Sequence, residues 1–299
     1  MIFPEMTHFL GPGVEGSAIG VRMEEFAAAG IKFLQLNPRE LQRMKDDPDY
    51  RREMLHQAER CKLTIRDAHA PHQLENSVGA PVPLELVTSS LLEAIDIAGS
   101  LGVVTLTIHA GRTRLVGEYA EKFGGTESAD LPAAAIRVCQ ALDVLIPAAE
   151  KNNCVLALEN LFLPSSTAAF LTPIVEKYAH PNLGMCYDSG HALLVEKQPG
   201  KVSSDIAGWI SCGWDDDTMD FQDDQLDRML NQVVTTHLHD NNGKNDQHLY
   251  PGEGVANWDA IVERLKRAPR LLTLQSELIS SLANDPATEF VKHFEMFNL

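Results

Sequence analysis

The sequence predicts a (β/α)8 TIM barrel, and three observations lead to this fold class. Short segments rich in Val, Ile, Leu and Thr alternate with longer helical patterns along the chain. Repeated strand-then-helix units of this kind form a parallel sheet with right-handed crossovers. Eight such units favour a closed barrel over an open sheet, and 299 residues suit that fold. No linker rich in Pro, Gly or Ser divides the chain, so we expect one barrel domain over residues 1–299.

The predicted strands alternate only partly between apolar and polar residues, as expected of strands that are buried on both faces. Pro4 weakens the first strand, within MIFPEMTHF, but an eight-unit barrel requires a strand there. The others are IKFLQL (Ile31 to Leu36), KLTIRDAH (Lys62 to His69), VVTLTIH (Val103 to His109), CVLALE (Cys154 to Glu159), LGMCYD (Leu183 to Asp188), VVTTHLH (Val233 to His239) and LLTLQSE (Leu271 to Glu277).

Helical patterns separate these strands. They cover Leu84 to Leu101, Ala133 to Lys151, Ser166 to Tyr178, Trp258 to Lys266 and, at the end of the chain, Ala287 to Phe297. Such patterns between short apolar strands are the second half of each β/α unit.

One connection is far longer than the usual loop, with roughly forty residues between LGMCYDSGH and the next strand. This acidic insertion, at about 192–230, contains Trp209 and Trp214, followed by seven Asp within Asp215 to Asp227. Because βα connections lie on the catalytic face of a barrel, part of the insertion is predicted to be a lid. A solvated helix with an acidic outer face is the equally weighted alternative.

The net charge of −17 narrows the range of partners. So acidic a surface repels phosphate backbones and anionic membranes, although a metal-lined cleft can reverse the sign locally. We therefore expect neither nucleic acid nor a membrane as partner, and no apolar stretch is expected to reach membrane-spanning length. No signal peptide is visible, and the five cysteines are widely spaced, which is typical of a cytoplasmic protein. They are Cys61, Cys139, Cys154, Cys186 and Cys212.

Six consecutive predicted strands end on side chains that can bind a metal. These are His69, His109, Glu159, Asp188, His237 with His239, and Glu277. A single His at a strand end is more often structural, and a lone Asp before Ser-Gly is more often a turn or helix cap. Six positions that converge at one barrel mouth nevertheless favour a metal site. Carboxylates and imidazoles without thiolates suit Zn²⁺ or Mn²⁺, with Co²⁺ or Mg²⁺ as alternatives.

The segments DAHAPH, TIHAG, LALENL, GMCYDSGHA, HLHDNN, DQHLYPGEG and LQSEL occur in this order between about Asp67 and Leu278. Together they resemble the xylose-isomerase-like barrel superfamily, which includes sugar isomerases and epimerases as well as endonuclease IV. This resemblance implies a metal site whose four ligands are Glu159, Asp188, His237 and Glu277. It also implies that the two glutamates are catalytic and transfer protons through a metal-stabilised enediolate.

The resemblance to endonuclease IV implies a larger set of ligands. His69 and His109 would join Glu159 at one ion, the four ligands above would hold a second, and His191, Asp246 and His248 would hold a third.

Four residues are expected to contact the substrate. In the sugar enzymes the position of His191 binds a substrate hydroxyl. His72 stands where the nuclease usually has an aromatic residue, and His239 stands where relatives often have Lys. Trp214 of the acidic insertion is expected to pack near the substrate.

These observations leave three functions open. The leading interpretation is a metal-dependent isomerase or epimerase that acts on a small sugar or hydroxy-keto compound; a lyase would use the same residues. The alternative is an abasic-site endonuclease with a trinuclear metal centre. The third is a non-catalytic metal-binding barrel, because a shared fold and shared ligands do not fix the reaction. A homo-oligomer is compatible with each of them.

Overall fold

In the computed structural model, eight parallel strands close into a barrel in sequence order, with β8 paired to β1. The structure describes residues 3–4, 6–11, 14, 17–71, 77–112, 131–211, 213–215, 218–278 and 285–297. The strands are β1 (Met6–His8), β2 (Phe33–Leu36), β3 (Thr64–His69), β4 (Thr105–Ile108), β5 (Val155–Glu159), β6 (Leu183–Asp188), β7 (Val233–Leu238) and β8 (Leu274–Ser276). The predicted (β/α)8 TIM barrel is confirmed.

Helices surround the barrel. Within the described residues they are α1 (Ser17–Ala28), α2 (Pro38–Asp46), α3 (Pro48–Cys61), α4 (Leu84–Ser100), α5 (Leu131–Lys151), α6 (Ala168–Tyr178), α7 (Ser189–Val195), α8 (Gly208–Ser211), α9 (Gln225–Met229), α10 (Trp258–Leu265) and α11 (Ala287–His293). The main apolar core lies between the strands and these helices, with Phe26, Leu91 and Phe290 fully buried there.

The inside of the barrel is polar. Thr105 Oγ1 donates to Asp67 Oδ1, while Thr273 Oγ1 and Gln275 Nε2 donate to Thr235 Oγ1 at 2.8 and 2.9 Å. Burial raises the pKa of Asp67 to about 6. Inward-facing side chains recur at every second position of a strand, so the residues two positions further along these strands also face inward, at the carboxyl ends.

Helix α5 corrects the expectation that no apolar stretch reaches membrane-spanning length. It is 21 residues long and contains an 18-residue stretch with a mean hydropathy of 1.4, which makes it long and apolar enough to cross a membrane by length and composition. In the structure Val138, Leu142 and Leu145 on this helix are buried in the main core. A core helix of a barrel passes the same test, and one face of α5 packs as such a helix does, while Ile136 and Val144 lie on its exposed face.

The acidic insertion forms a small apolar cluster of its own. Its buried members are Leu194, Val195, Ile206, Ile210, Trp214 and Met219. Acidic residues lie outside this cluster in ion pairs: Asp223 with Lys197 and Arg228, at 3.0 and 2.9 Å, and Asp224 and Asp227 with Arg264 of α10, at 2.7 and 2.9 Å. The described part of the insertion therefore packs on an apolar interior, and its role as a lid stays a prediction.

Glu196, which follows α7, gives the insertion a pH-dependent stability. Burial raises the pKa of this carboxyl to about 7, and its Oε1 accepts the Gln225 N–H at 2.7 Å. The folded state thus binds this proton more tightly than the unfolded state, so the contribution is fully present below about pH 4.5 and is lost as pH rises through about 7. We expect Glu196→Gln, whose amide oxygen can accept the same bond, to raise the unfolding free energy at about pH 8 by about 1–3 kcal/mol.

Urea unfolding near pH 4.5 and near pH 8 checks this expectation, because only the higher pH should separate the variant from the unmodified protein. The same substitution at exposed Glu253 is the control and should change neither value. Equal stabilities of Glu196→Gln and the unmodified protein at both pH values would contradict the assignment.

The structure describes four of the five cysteines, and none of these four forms a disulfide. Cys61, Cys139, Cys154 and Cys186 are free thiols, and Cys212 lies outside the described residues. Burial raises the pKa of the Cys154 and Cys186 thiols to about 12, so both are neutral core residues. The cytoplasmic location stays a prediction.

Candidate metal centre

The carboxyl ends of the strands bring the predicted ligands to one mouth of the barrel. Four of them follow a polar interior residue by two positions on the same inward face. These pairs are Asp67 and His69 on β3, Thr107 and His109 at β4, Thr235 and His237 on β7, and Gln275 and Glu277 at β8.

Glu159 is the centre of the inner group. Its Oε2 lies 2.8 Å from His109 Nε2 and 3.1 Å from His69 Nε2, and its Oε1 lies 3.0 Å from His237 Nδ1. The Glu159 side chain is 1% exposed. This single carboxylate therefore bridges a histidine pair on one side and the remaining carboxylates on the other.

Four predicted ligands form the next group. His237 Nδ1 lies 3.2 Å from Glu277 Oε2 and 3.9 Å from Asp188 Oδ2. One donor atom from each of Glu159, Asp188, His237 and Glu277 lies within 4.8 Å of the others. Residues that are more than a hundred positions apart in sequence thus meet in one group.

A third group lies further out. His191 Nε2 and His248 Nε2 are 3.4 and 3.1 Å from Asp246 Oδ2. His239 belongs to the same group, since one donor atom from each of His191, His239, Asp246 and His248 lies within 4.8 Å of the others. His191 Nδ1 lies 3.4 Å from Glu159 Oε1, which connects the outer group to the inner one.

The residues fit a divalent cation. Asp246 Oδ1 is a buried atom that makes no hydrogen bond within the described structure. Unpartnered buried oxygen atoms of this kind are costly, and a cation relieves that cost. His69 Nδ1 lies 2.6 Å from the Ala70 carbonyl oxygen, which fixes the ring with Nε2 towards Glu159. Such backing hydrogen bonds are typical of histidines that bind metals.

The pKa values show how strongly these groups interact. Burial by itself would raise the pKa of Glu159, but the His237 and His109 rings outweigh burial and hold that pKa well below its ordinary value. Burial lowers the pKa of His237, yet the Glu277 and Glu159 carboxylates beside it outweigh burial and raise the pKa well above its ordinary value. Protonated imidazoles here supply positive charge that a cation would replace, so metal binding at this mouth should release protons.

The family of this chain follows from its match to a protein-family model. Residues 23–277 match the model of the family described as xylose isomerase-like TIM barrel. The chain belongs to this family.

Relatives of this xylose isomerase-like barrel include an uncharacterised protein, y4fM, of Sinorhizobium fredii, which is 27% identical over 177 residues. That alignment covers 58% of this chain and 47% of y4fM, so the chain spans about half the length of this relative.

Among solved structures, a D-tagatose 3-epimerase-like protein has a TM-score of 0.65 at 19% identity, and the match covers 100% of this chain and 98% of that one. The 3-keto-D-glucoside 4-epimerase YcjR of E. coli has a TM-score of 0.66 at 13% identity, with 98% and 99% covered. The IOLI protein with a bound zinc atom has a TM-score of 0.61 at 14% identity, with 98% and 95% covered. These likenesses show the fold.

The predicted substrate contacts have different outcomes in this xylose isomerase-like barrel. His72 lies outside the described residues. His191 and His239 lie in the outer group of donors. Trp214 is buried in the insertion's apolar cluster and donates its indole N–H to the Phe162 carbonyl oxygen at 2.8 Å. The Phe162 ring stands edge-on to His191 at 5.4 Å, so Trp214 supports the mouth through Phe162, and a direct substrate contact stays a prediction.

Two residues that sequence reasoning missed hold the ligands in place. Asn160 Oδ1 accepts the Asp188 N–H at 2.8 Å, and Asn160 Nδ2 donates to the Asp188 carbonyl oxygen at 2.9 Å. His8, at the end of β1, lies with Nδ1 2.8 Å from Ser276 Oγ, beside Glu277. Burial and then the Arg22 charge lower the pKa of His8 to about 3, so this ring is neutral. Its place at a strand end, like that of the ligands, was the available signal.

Proposed function

We propose that this protein is a metal-dependent isomerase or epimerase of a sugar or a hydroxy-keto compound. The observation that carries the proposal is the position of Glu159 and Glu277, whose carboxylates lie 3.0 and 3.2 Å from the same His237 nitrogen. Two carboxylates around one centre can serve as base and acid on a single substrate. The presence of the second carboxylate also disfavours a non-catalytic metal-binding barrel.

In this proposal one glutamate removes a proton from the carbon beside a carbonyl group, which gives an enediolate. The other glutamate returns a proton, either to the opposite face of that carbon or to its neighbour. His237 and then His109 hold the pKa of Glu159 well below its ordinary value, so Glu159 is anionic, as a base requires, and His191 binds a substrate hydroxyl. Phe162, edge-on to His191, forms an apolar wall beside that hydroxyl.

Glu159, Asp188, His237 and Glu277 would hold the cation. When bound, a divalent cation supplies positive charge that stabilises the oxyanion developing on the substrate. The donor set suits Zn²⁺ or Mn²⁺, with Co²⁺ or Mg²⁺ as alternatives. The similarity to sugar epimerases and to a zinc-bound barrel supports a sugar-like substrate and a divalent metal. A cytoplasmic location and one domain over residues 1–299 are part of the same proposal.

One observation favours a second candidate, an abasic-site endonuclease. The histidine pair on Glu159 and the outer group around Asp246 are both assembled, as a trinuclear centre requires. The net charge of −17 opposes it, because a DNA backbone would approach a strongly acidic surface.

Hydrogen exchange in D2O tests the leading proposal directly. The Mn²⁺- or Zn²⁺-loaded protein is incubated with a panel of ketoses and keto-sugars, and deuterium at the carbon beside the carbonyl is followed by NMR. We expect incorporation from solvent into at least one member, together with its epimer or isomer, because the abstracted proton exchanges on the carboxylate. An abasic oligonucleotide is assayed in parallel. Cleavage of that oligonucleotide with no exchange in any sugar would replace the isomerase proposal by the nuclease.

A further inference from the structure

Helix α7 is short and buried, and it carries His191 into the mouth of the barrel. Every residue of this helix, Ser189–Val195, is buried. A helix of two turns has little stability of its own, so contacts outside the helix must hold it. His191 lies in its first turn, with Nδ1 3.2 Å from the Asn160 carbonyl oxygen. The position of this ring therefore depends on how the rest of the short helix is held.

Lys201 of the acidic insertion closes the carboxyl end of α7. Its Nζ donates to the carbonyl oxygens of Leu193 and Leu194 at 2.6 and 2.9 Å, and to that of Glu196 at 3.3 Å. Carbonyl groups in the last turn of a helix have no partner within the helix itself. A cation at this end also interacts favourably with the helix dipole. Since Leu193 lies two residues after His191, the ammonium group acts close to the ring.

The remaining carbonyl groups at this end of α7 have backbone partners. The Ala192 carbonyl accepts the Glu196 N–H at 2.9 Å, and the Val195 carbonyl accepts the Gln222 N–H at 2.8 Å. Lys201 completes the pairing of this helix end. Buried carbonyl oxygens that lose their donor are costly, so removal of the ammonium group would loosen the end of α7.

The acidic insertion also supports His191 from a second direction. Leu194 of α7 packs with Trp214 in the insertion's apolar cluster. The Trp214 indole N–H donates to the Phe162 carbonyl oxygen at 2.8 Å, and the Phe162 ring stands edge-on to His191 at 5.4 Å. The helix end that Lys201 closes and the wall beside His191 thus belong to one packed body.

The charge of Lys201 lies in a partly buried site. Burial lowers the pKa of this ammonium group to about 8, although the nearby carboxylates of Glu196 and Asp205 act in the opposite direction. Asp205 also pairs with Lys244 at 3.6 Å. The Phe221 ring, whose centroid is 4.9 Å from Nζ, attracts the cation. Lys201 is therefore mostly protonated at neutral pH, and its charge is lost as pH rises through about 8.

We propose that Lys201 is a positioning residue for His191. Its ammonium group holds the carboxyl end of α7, and the helix in turn holds the His191 ring where it meets a substrate hydroxyl. This inference rests on the proposed function, in which His191 binds that hydroxyl. Affinity for the sugar thereby depends on a lysine that binds the opposite end of the helix.

Proton NMR of the Zn²⁺-loaded protein reports the placement of His191 without any substrate. Its Nδ1 faces three acceptors: the Asn160 carbonyl oxygen at 3.2 Å, Asp188 Oδ2 at 3.3 Å and Glu159 Oε1 at 3.4 Å. This nitrogen therefore carries a proton, whose resonance is identified by its loss in His191→Gln.

We expect Lys201→Met to shift this resonance and to speed the exchange of its proton with water by about tenfold or more, because α7 loses the donor to its buried carbonyls. Lys197→Met is the matched control. Lys197 is an exposed lysine of the same insertion, paired with Asp223 at 3.0 Å, and its loss should leave the resonance unchanged. An unchanged His191 resonance in a folded Lys201→Met protein would overturn the proposal.

A comparison that keeps the positive charge guards against a Lys201→Met protein that does not fold. In the unmodified protein, KM for the reacting sugar should rise by about fivefold or more as pH increases through about 8, with a smaller change in kcat. Lys201→Arg stays protonated over this range and should lack the rise. Glu196 titrates beside residue 201 in both proteins, so the difference between their profiles isolates the lysine. Identical KM profiles in the two proteins would overturn the proposal.

If no sugar of the panel reacts, the isomerase proposal fails, and the same two proteins are compared across pH by the exchange rate of the His191 proton. Slower exchange in Lys201→Arg above about pH 8 would then support the positioning of His191 by Lys201. Normal sugar turnover with an unchanged His191 resonance in Lys201→Met would overturn the role of Lys201 alone.

Discussion

Glu159→Gln and Glu277→Gln should each lower substrate turnover by about 100-fold or more, since a positioned acid or base contributes on this scale. Glutamine has nearly the size of glutamate but cannot accept or return the proton. The surrounding histidines outweigh burial and hold the pKa of both carboxyls well below its ordinary value, so at neutral pH each is ionised and able to accept a proton. The measurement is the initial rate on whichever sugar shows deuterium exchange.

Both glutamates are also predicted metal ligands, so the metal content of each variant must be measured with its rate. Under saturating metal, a variant that holds its ion but has lost exchange identifies the proton-transfer role. Glu253→Gln, on the exposed surface near the mouth, is the matched control and should keep the normal rate. Normal rates in both active-site variants would show that the proton-transfer assignment is wrong.

Asp240→Asn should destabilise the protein by about 3–5 kcal/mol, because two buried donors would lose their acceptor and each costs about 1–3 kcal/mol when unpaired. Asp240 is fully buried. Its Oδ1 accepts the N–H groups of Asn241 and Ala256 at 2.8 and 3.1 Å. Its Oδ2 accepts the N–H groups of Gly252 and of the Trp258 indole at 3.1 and 2.8 Å. An asparagine would set its NH2 group against two of these donors in either orientation, which leaves them unpaired.

Urea unfolding of the metal-free protein measures this loss. Asp259→Asn, an exposed aspartate in the first turn of α10, is the control and should stay within about 0.5 kcal/mol of the unmodified protein. The loop held by Asp240 also carries Asp246 and His248 of the outer group. A loss of stability below about 1 kcal/mol would contradict the central role of this carboxylate.

The order of the barrel elements could be predicted because their signals are local. β6 (Leu183–Asp188) has the predicted bounds, and α4 (Leu84–Ser100) differs from its prediction by one residue. β8 (Leu274–Ser276) is shorter than the predicted run from Leu271 to Glu277, because sheet pairing begins three residues after the start of the run and stops at Ser276. An apolar run in the sequence indicates that a segment is buried, whereas a strand also requires hydrogen-bonding partners on the neighbouring strands.

The candidate site was predictable in its composition. Each ligand at the end of a predicted strand is brought to the mouth, because parallel strands in a barrel all end at the same face. The missed residues have their partners elsewhere in the chain: His8 contacts Ser276, and Asn160 contacts the Asp188 backbone. No pattern within a short sequence segment indicates which distant residue such a side chain will contact.

The sequence by itself determined the fold class, the family and the residues at the mouth, since periodicity and strand-end position are properties of short segments. Only the tertiary structure decided how these residues divide into groups: Glu159 as the bridge, Trp214 as a support behind Phe162, and His239 among the outer donors. Distances between side chains on different strands depend on register and on the closure of the barrel. Both are set by packing of the whole chain and by no single segment of it.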